Sequence, residues 1–152
     1  MSAKTSTGLR NHMLAVGSFA DGLSSAVIKI YSTTSVPATA DASIGNATLL
    51  ATIYKSGTDT GLGFDTASVA GGVLAKDSSQ TWSTDSSGNA ASGTAAFFRL
   101  VNADDDGADS TTAKRVQGTV ATAGGDLNLS SINLTAGSPQ TINFFNVTLP
   151  TF

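Results

Sequence analysis

The residues that could do chemistry in this 152-residue chain are few. It has no cysteine, so disulfides, thiolate metal sites and cysteine nucleophiles are excluded. All eleven acidic residues are aspartates, and the single histidine is His12. A Ser-His-Asp arrangement through His12 is conceivable because Ser and Asp abound, yet no nucleophile-elbow pattern accompanies it. The expectation is that the protein is not an enzyme and that His12 belongs to the polar face of a helix or to a contact with a partner. One acidic group approaches a hard-cation pattern: Asp104, Asp106 and Asp109 stand around Gly107 and could offer carboxylate oxygens to Ca²⁺ from a tight turn. It lacks the twelve-residue spacing and closing Glu of an EF-hand loop, so the leading reading is a solvated hairpin tip, with no metal and no cofactor. Gly61 and Gly63, Gly71-Gly72 and Gly124-Gly125 carry no following Lys-Ser/Thr and are read as turn glycines.

Composition narrows the function classes further. Only 12% of residues are charged, with a net charge of −3, and the eight Lys and Arg are scattered. Binding nucleic acid requires neutralising many phosphates, so no nucleic-acid partner is expected. No apolar run approaches the roughly 20 residues that span a bilayer, and residues 1–7 lack the apolar stretch of a signal peptide, so no membrane partner and an uncleaved chain are expected. Forty-one Ser and Thr residues and twenty-two Ala make an exterior that is polar but weakly charged. Such a surface has few ions to desolvate when it meets another protein.

The elements that must position these residues follow from periodicity. Leu9, Met13, Val16 and Ala20 recur at helical spacing after candidate caps at residues 5–7, with a break offered at Gly17 and Ser18. From residue 26 the period changes to two. Strands are expected at 26–31, 48–54, 62–64, 72–75, 81–84, 94–102, 114–121, 126–134 and 140–149. Residues 33–46 carry Pro37, Asp41 and Gly45 and read as a surface connection, free to lie along a neighbour. In strand 94–102 both Phe98 and Leu100 on one face and Phe97 and Val101 on the other are apolar, which suits the middle of a sandwich or a place beneath a partner. Strands 126–134 and 140–149 switch parity midway, near Ser130-Ser131 and Phe144-Phe145, as strands do that bulge or change sheets at a corner. The expected fold class is all-β: a single-domain, jelly-roll-like β-sandwich over 26–152 preceded by a short N-terminal helical arm over 1–25. Phe98, Leu100, Leu129, Ile142 and Phe144 are the expected core, and Tyr54 and Trp82 are core or interface, with a buried structural Trp the leading reading; Leu9, Met13 and Phe19 anchor the helical segment, and Leu9, Met13, Phe19 and Trp82 are the candidate interface residues.

Several stretches resemble a group of small structural proteins of tailed-phage virions. They are residues 7–14 (TGLRNHML), KIYS at 29–32 with VPATAD at 36–41, GLGFD at 61–65, FFR at 97–99 through DDG at 105–107, RVQGTV at 115–120, DLNLSS at 126–131, and FFNVTLP at 144–150. The similarity covers nearly the whole chain. It implies a head decoration or cement protein that binds major capsid protein on the outer capsid surface, as a homo-oligomer on the particle, with the helix and the 33–46 loop as arms. The alternative it leaves open is a tail, baseplate or fibre-associated virion subunit.

Overall fold

A computed structural model describes residues 3–149; the outermost parts of the two expected segments, and Pro150 of the closing motif, lie outside the described residues. Along the chain come β1 (Lys4–Thr5), α1 (Thr7–Ala15), α2 (Phe19–Gly22), β2 (Ala26–Ser32), β3 (Thr48–Lys55), β4 (Val73–Ala75), β5 (Trp82–Ser83) and β6 (Gly93–Thr94). They are followed by β7 (Phe97–Asn102), β8 (Arg115–Ala121), β9 (Leu127–Asn128), β10 (Asn133–Leu134), β11 (Thr141–Ile142) and β12 (Asn146–Thr148). The fold is all-β. One sheet runs in the order β1-β8-β7-β2-β3-β5-β11, with β9 parallel to β8, and β6–β10 and β4–β12 form two-stranded ribbons. A jelly roll has two comparable sheets; here one large sheet is covered by helices, ribbons and loops.

The centre of that sheet follows directly from alternation. Ile28 stands opposite Leu100 and Ile53, and Leu100 opposite Val116; Ile30 stands opposite Phe98, which faces Gly118. These side chains form one face of the core. Gly118 is needed there because a Cβ would come within 2.6 Å of the Phe98 ring. A register shift between Ile30 and Tyr31 in the β2–β3 pairing lets Leu50 and Ala51 both enter the core. The opposite face holds Tyr31 stacked on Phe97, with ring centroids 5.0 Å apart, then Lys29, Arg99 and Gln117 in one row and Val27, Val101 and Arg115 in the next.

The core face is closed by both ends of the chain. The Ser6 hydroxyl accepts the Leu9 N–H at 3.1 Å and so begins α1. It also donates to the Ala113 carbonyl and accepts the Arg115 N–H, fixing the helix to the start of β8. Ser18 repeats the cap for α2 after the break expected at Gly17. Leu9, Phe19 and Leu23 then enter the core. The expected arm over 1–25 is thus an integral part of the fold, since β1 pairs with β8 as well. Phe64 gathers an aromatic cluster, with its ring 5.6 Å from both Phe19 and Trp82 and 6.5 Å from Phe145.

The two parity switches mark places where the chain changes partners. The strand expected at 126–134 is two short pieces, β9 on β8 and β10 on β6; that expected at 140–149 is β11 on β5 and β12 on β4. Continuity is lost because each piece turns its apolar side to the same core from a different direction: Leu127, Leu129 and Leu134 all reach it, as do Ile142 and Phe145. This corrects one core residue. Phe144 is 89% exposed, and Phe145, one step later, is buried. Val16 is corrected similarly: it follows the last turn of α1, where helical spacing has ended, and is exposed while His12 joins Leu9 inside.

Replacing each of the neighbouring phenylalanines measures this phase change. Phe145→Ala should cost about 3–5 kcal/mol in urea unfolding, whereas Phe144→Ala should stay within about 0.5 kcal/mol of the parent. Equal losses would mean the assigned phase is wrong.

Candidate functional site

The residues most capable of chemistry are consumed in holding the second face of the sheet. Arg99, Arg115 and Gln117 stand there, each almost entirely buried. The cover is the 33–47 connection, which crosses the face as a strap. Arg99 donates through Nη2 to the Ala42 carbonyl at 2.6 Å and through Nε to Gln117 Oε1 at 2.9 Å. Gln117 in turn donates to the Pro37 carbonyl at 2.7 Å, and Arg115 Nη1 to the Ala40 carbonyl at 3.3 Å. The 33–46 segment is therefore not a free arm; its carbonyls are the partners that buried guanidinium and amide groups require. The Asp105 side chain, 7% exposed, lies 2.6 Å from Arg115 Nε. Burial first, and the charge of Arg115 second, press the Arg99 guanidinium toward its neutral form. Burial likewise raises the Tyr31 phenol, against the opposing pull of Arg99.

Asp41, at the middle of the strap, accepts the Thr7 N–H at 2.8 Å and the Thr7 hydroxyl at 2.7 Å. A carboxylate there also meets the positive end of α1. Desolvation would raise its pKa, but the two Thr7 hydrogen bonds outweigh it, aided by Arg10 and Arg115, and hold it below the usual carboxylate range.

His12 bonds Asp21 at 3.0 Å, joining α1 to α2. No serine hydroxyl hydrogen-bonds it among the described residues, so the geometry offers a structural tie rather than an assembled triad. The Ca²⁺ candidates are not brought together. Asp104 and Asp106 are exposed, Asp106 caps the Ala108 N–H, and Asp109 reaches away to the Ser43 N–H at 2.8 Å. Among the described residues no three His, Cys, Asp or Glu side chains converge as metal ligands. No described helix is long and apolar enough to cross a membrane.

Of the candidate interface residues, Leu9 and Phe19 lie in the chain's own core, Trp82 takes the core place that is the leading reading for it, and Met13 is half-buried against that core. Tyr54 is half-buried on β3. The outward apolar residues of the helical segment are instead Leu14, 85% exposed, and Val16, 76% exposed. Val16, but not Leu14, lines a shallow groove of about 500 Å³ between α1 and residues 111–114, together with Gly8, Ala15, Thr112 and Lys114. Leu14 could have been found from sequence: five residues beyond Leu9, it falls about 140° round the helix from the buried side.

Two substitutions probe the strap. Arg115→Met leaves the Asp105 carboxylate buried without its cation and should cost about 3–5 kcal/mol by urea midpoint, with part of the loss recovered in Arg115→Met/Asp105→Leu. For Asp41 the folded-state pKa is depressed, so its stabilisation is fully present above the unfolded value of about 3.9 and is lost as pH falls through the folded value. Asp41→Asn should therefore lower the Tm most at neutral pH, with the gap from the parent closing below about pH 4; a gap that ignores pH would rule out a charge effect. Compared with known proteins, the chain matches no family model, no curated protein and no solved structure.

Proposed function

We propose that the protein is a structural subunit of a tailed-phage virion, a decoration or cement protein that binds major capsid protein on the outer surface of the head and stabilises it. The observation that carries this reading is the exposure of Leu14 in the last turn of α1 and of Val16 at its C-cap: two large aliphatic side chains held in water, Val16 at the edge of a groove, on a helix whose other side is locked into the core. Residues so exposed contribute nothing to this chain's own core, and burying them against a coat subunit would recover hydrophobic free energy. The low density of charge supports the same reading, since few ions would have to be desolvated in a crowded shell. So does the consumption of Arg99, Arg115, Asp105 and His12 in internal ties, which leaves binding rather than catalysis as the work of the surface. Self-association on the particle belongs to the same proposal.

A tail, baseplate or fibre-associated subunit is the second reading. It is favoured by the fully solvated Phe144 ring, which suits a surface presented to the medium.

Virions produced from the genome that encodes this chain separate the two. A cement protein should be present in hundreds of copies per particle by gel densitometry, and a tail subunit in at most a few dozen. On stripped heads, Leu14→Asp and Val16→Asp should each weaken rebinding by about tenfold or more, at unchanged Tm. Absence from particles, or rebinding indifferent to both substitutions, would remove the head reading.

A further inference from the structure

β9, β11 and the start of β12 border an open cleft of about 510 Å³. Its wall is built by simple alternation. Leu127, Leu129, Ile142 and Phe145 point inward, leaving Asn128, Ser130, Thr141, Asn143 and Asn146 on the outside. The phase slip before Phe145 adds one more outward residue, and it is aromatic: Phe144, with 89% of its surface in water. A ring thus stands in a row of amides and hydroxyls, with no Lys, Arg or His among the lining residues.

Hydrogen bonding within the cleft is uneven. The Asn128 amide exchanges bonds with the backbone of Gly125, and Asp126 is held by the N–H and hydroxyl of Thr119. The amides of Asn143 and Asn146 have no protein partner among the described residues. Each offers a carbonyl acceptor beside an NH₂ donor, flanking the Phe144 ring in sequence on both sides.

We propose that this cleft binds a neutral saccharide, with one pyranose ring lying on Phe144 and its hydroxyls held by Asn143 and Asn146. A pyranose is the chemical complement of such a surface. Its C–H face is apolar and covers an aromatic ring, while its edge carries neighbouring hydroxyls that both donate and accept, as a carboxamide does. A purely apolar ligand would strip water from the amides without replacing their hydrogen bonds. An acidic sugar or a phosphate would find no cation in the lining and a carboxylate, Asp126, at its edge. The site is remote in sequence from Leu14 and Val16 and does not depend on where in a particle the protein resides.

The test is NMR titration of ¹⁵N-labelled protein with lactose, maltotetraose, cellotetraose and tri-N-acetylchitotriose, and with sialyllactose as the anionic control. At least one neutral sugar should shift the backbone amides of 126–130 and 140–146 at millimolar concentration, with sialyllactose weaker than lactose. Phe144→Ala should lower the affinity by about tenfold or more and Asn143→Ala/Asn146→Ala measurably, both at unchanged Tm, while Leu14→Asp leaves the sugar response intact. The proposal is overturned if none of the four neutral sugars shifts these amides, or if Phe144→Ala binds them as the parent does. It is equally overturned if Phe144→Ala abolishes attachment to virions while sugars have no effect, because the occupant is then a protein. Failure of the Leu14 and Val16 experiments would leave the sugar result standing, so the two proposals fall separately.

Discussion

Two guanidinium groups set into the second face of a β-sheet dictate what must lie over it. Arg99 and Arg115 feel each other's charge, only Arg115 is paired with a carboxylate, that of Asp105, and neither guanidinium can be left in an apolar contact. An ordinary second sheet would present side chains to them and keep its carbonyls for its own ladder. A strand-free segment has carbonyls to give, and 37–42 gives several. The irregularity of the cover is therefore a consequence of the polarity beneath it. In turn the strap reaches α1 through Asp41 and the 105–110 turn through Asp41, Ser43 and Ile44, so the second face, the helix and that turn form one connected unit.

Much of this fold could be read in advance where a side chain's type and its period agree. The β2, β3, β7 and β8 strands carry alternating Ile, Leu, Phe and Val against residues that are polar or aromatic, and they form the sheet's centre. The parity switches at 130–131 and 144–145 were visible as well, and they do mark changes of partner. What could not be read was the choice at each switch. Phe144 and Phe145 are chemically identical, and only the pairing of Asn146 with Ala75 and Ile142 with Trp82 decides which ring is inside.

The cover of the second face escapes sequence patterns for a related reason. Phe97 and Val101 pointed to a concealed surface, correctly, but the segment that conceals it works through main-chain carbonyls, which every residue has and no sequence pattern advertises. The same holds for the candidate surfaces. Leu14 stands out on a helical wheel, while Val16 and Phe144 owe their exposure to where an element ends, and ends are the least predictable part of a pattern. The candidate interface residues Leu9 and Phe19 are large and apolar, qualities that interface centres and cores share, and here they lie in the core, as does Trp82, for which burial is the leading reading.

The strap's fastenings also bear on how the chain reaches its native state. The residues that receive the guanidinium and amide hydrogens precede their donors by 57, 75 and 80 positions. During synthesis the connection after β2 leaves the ribosome long before β7 and β8 exist to grip it, and β1 likewise waits for β8. Closure of these loops must await most of the polypeptide, so the second face is completed late in synthesis.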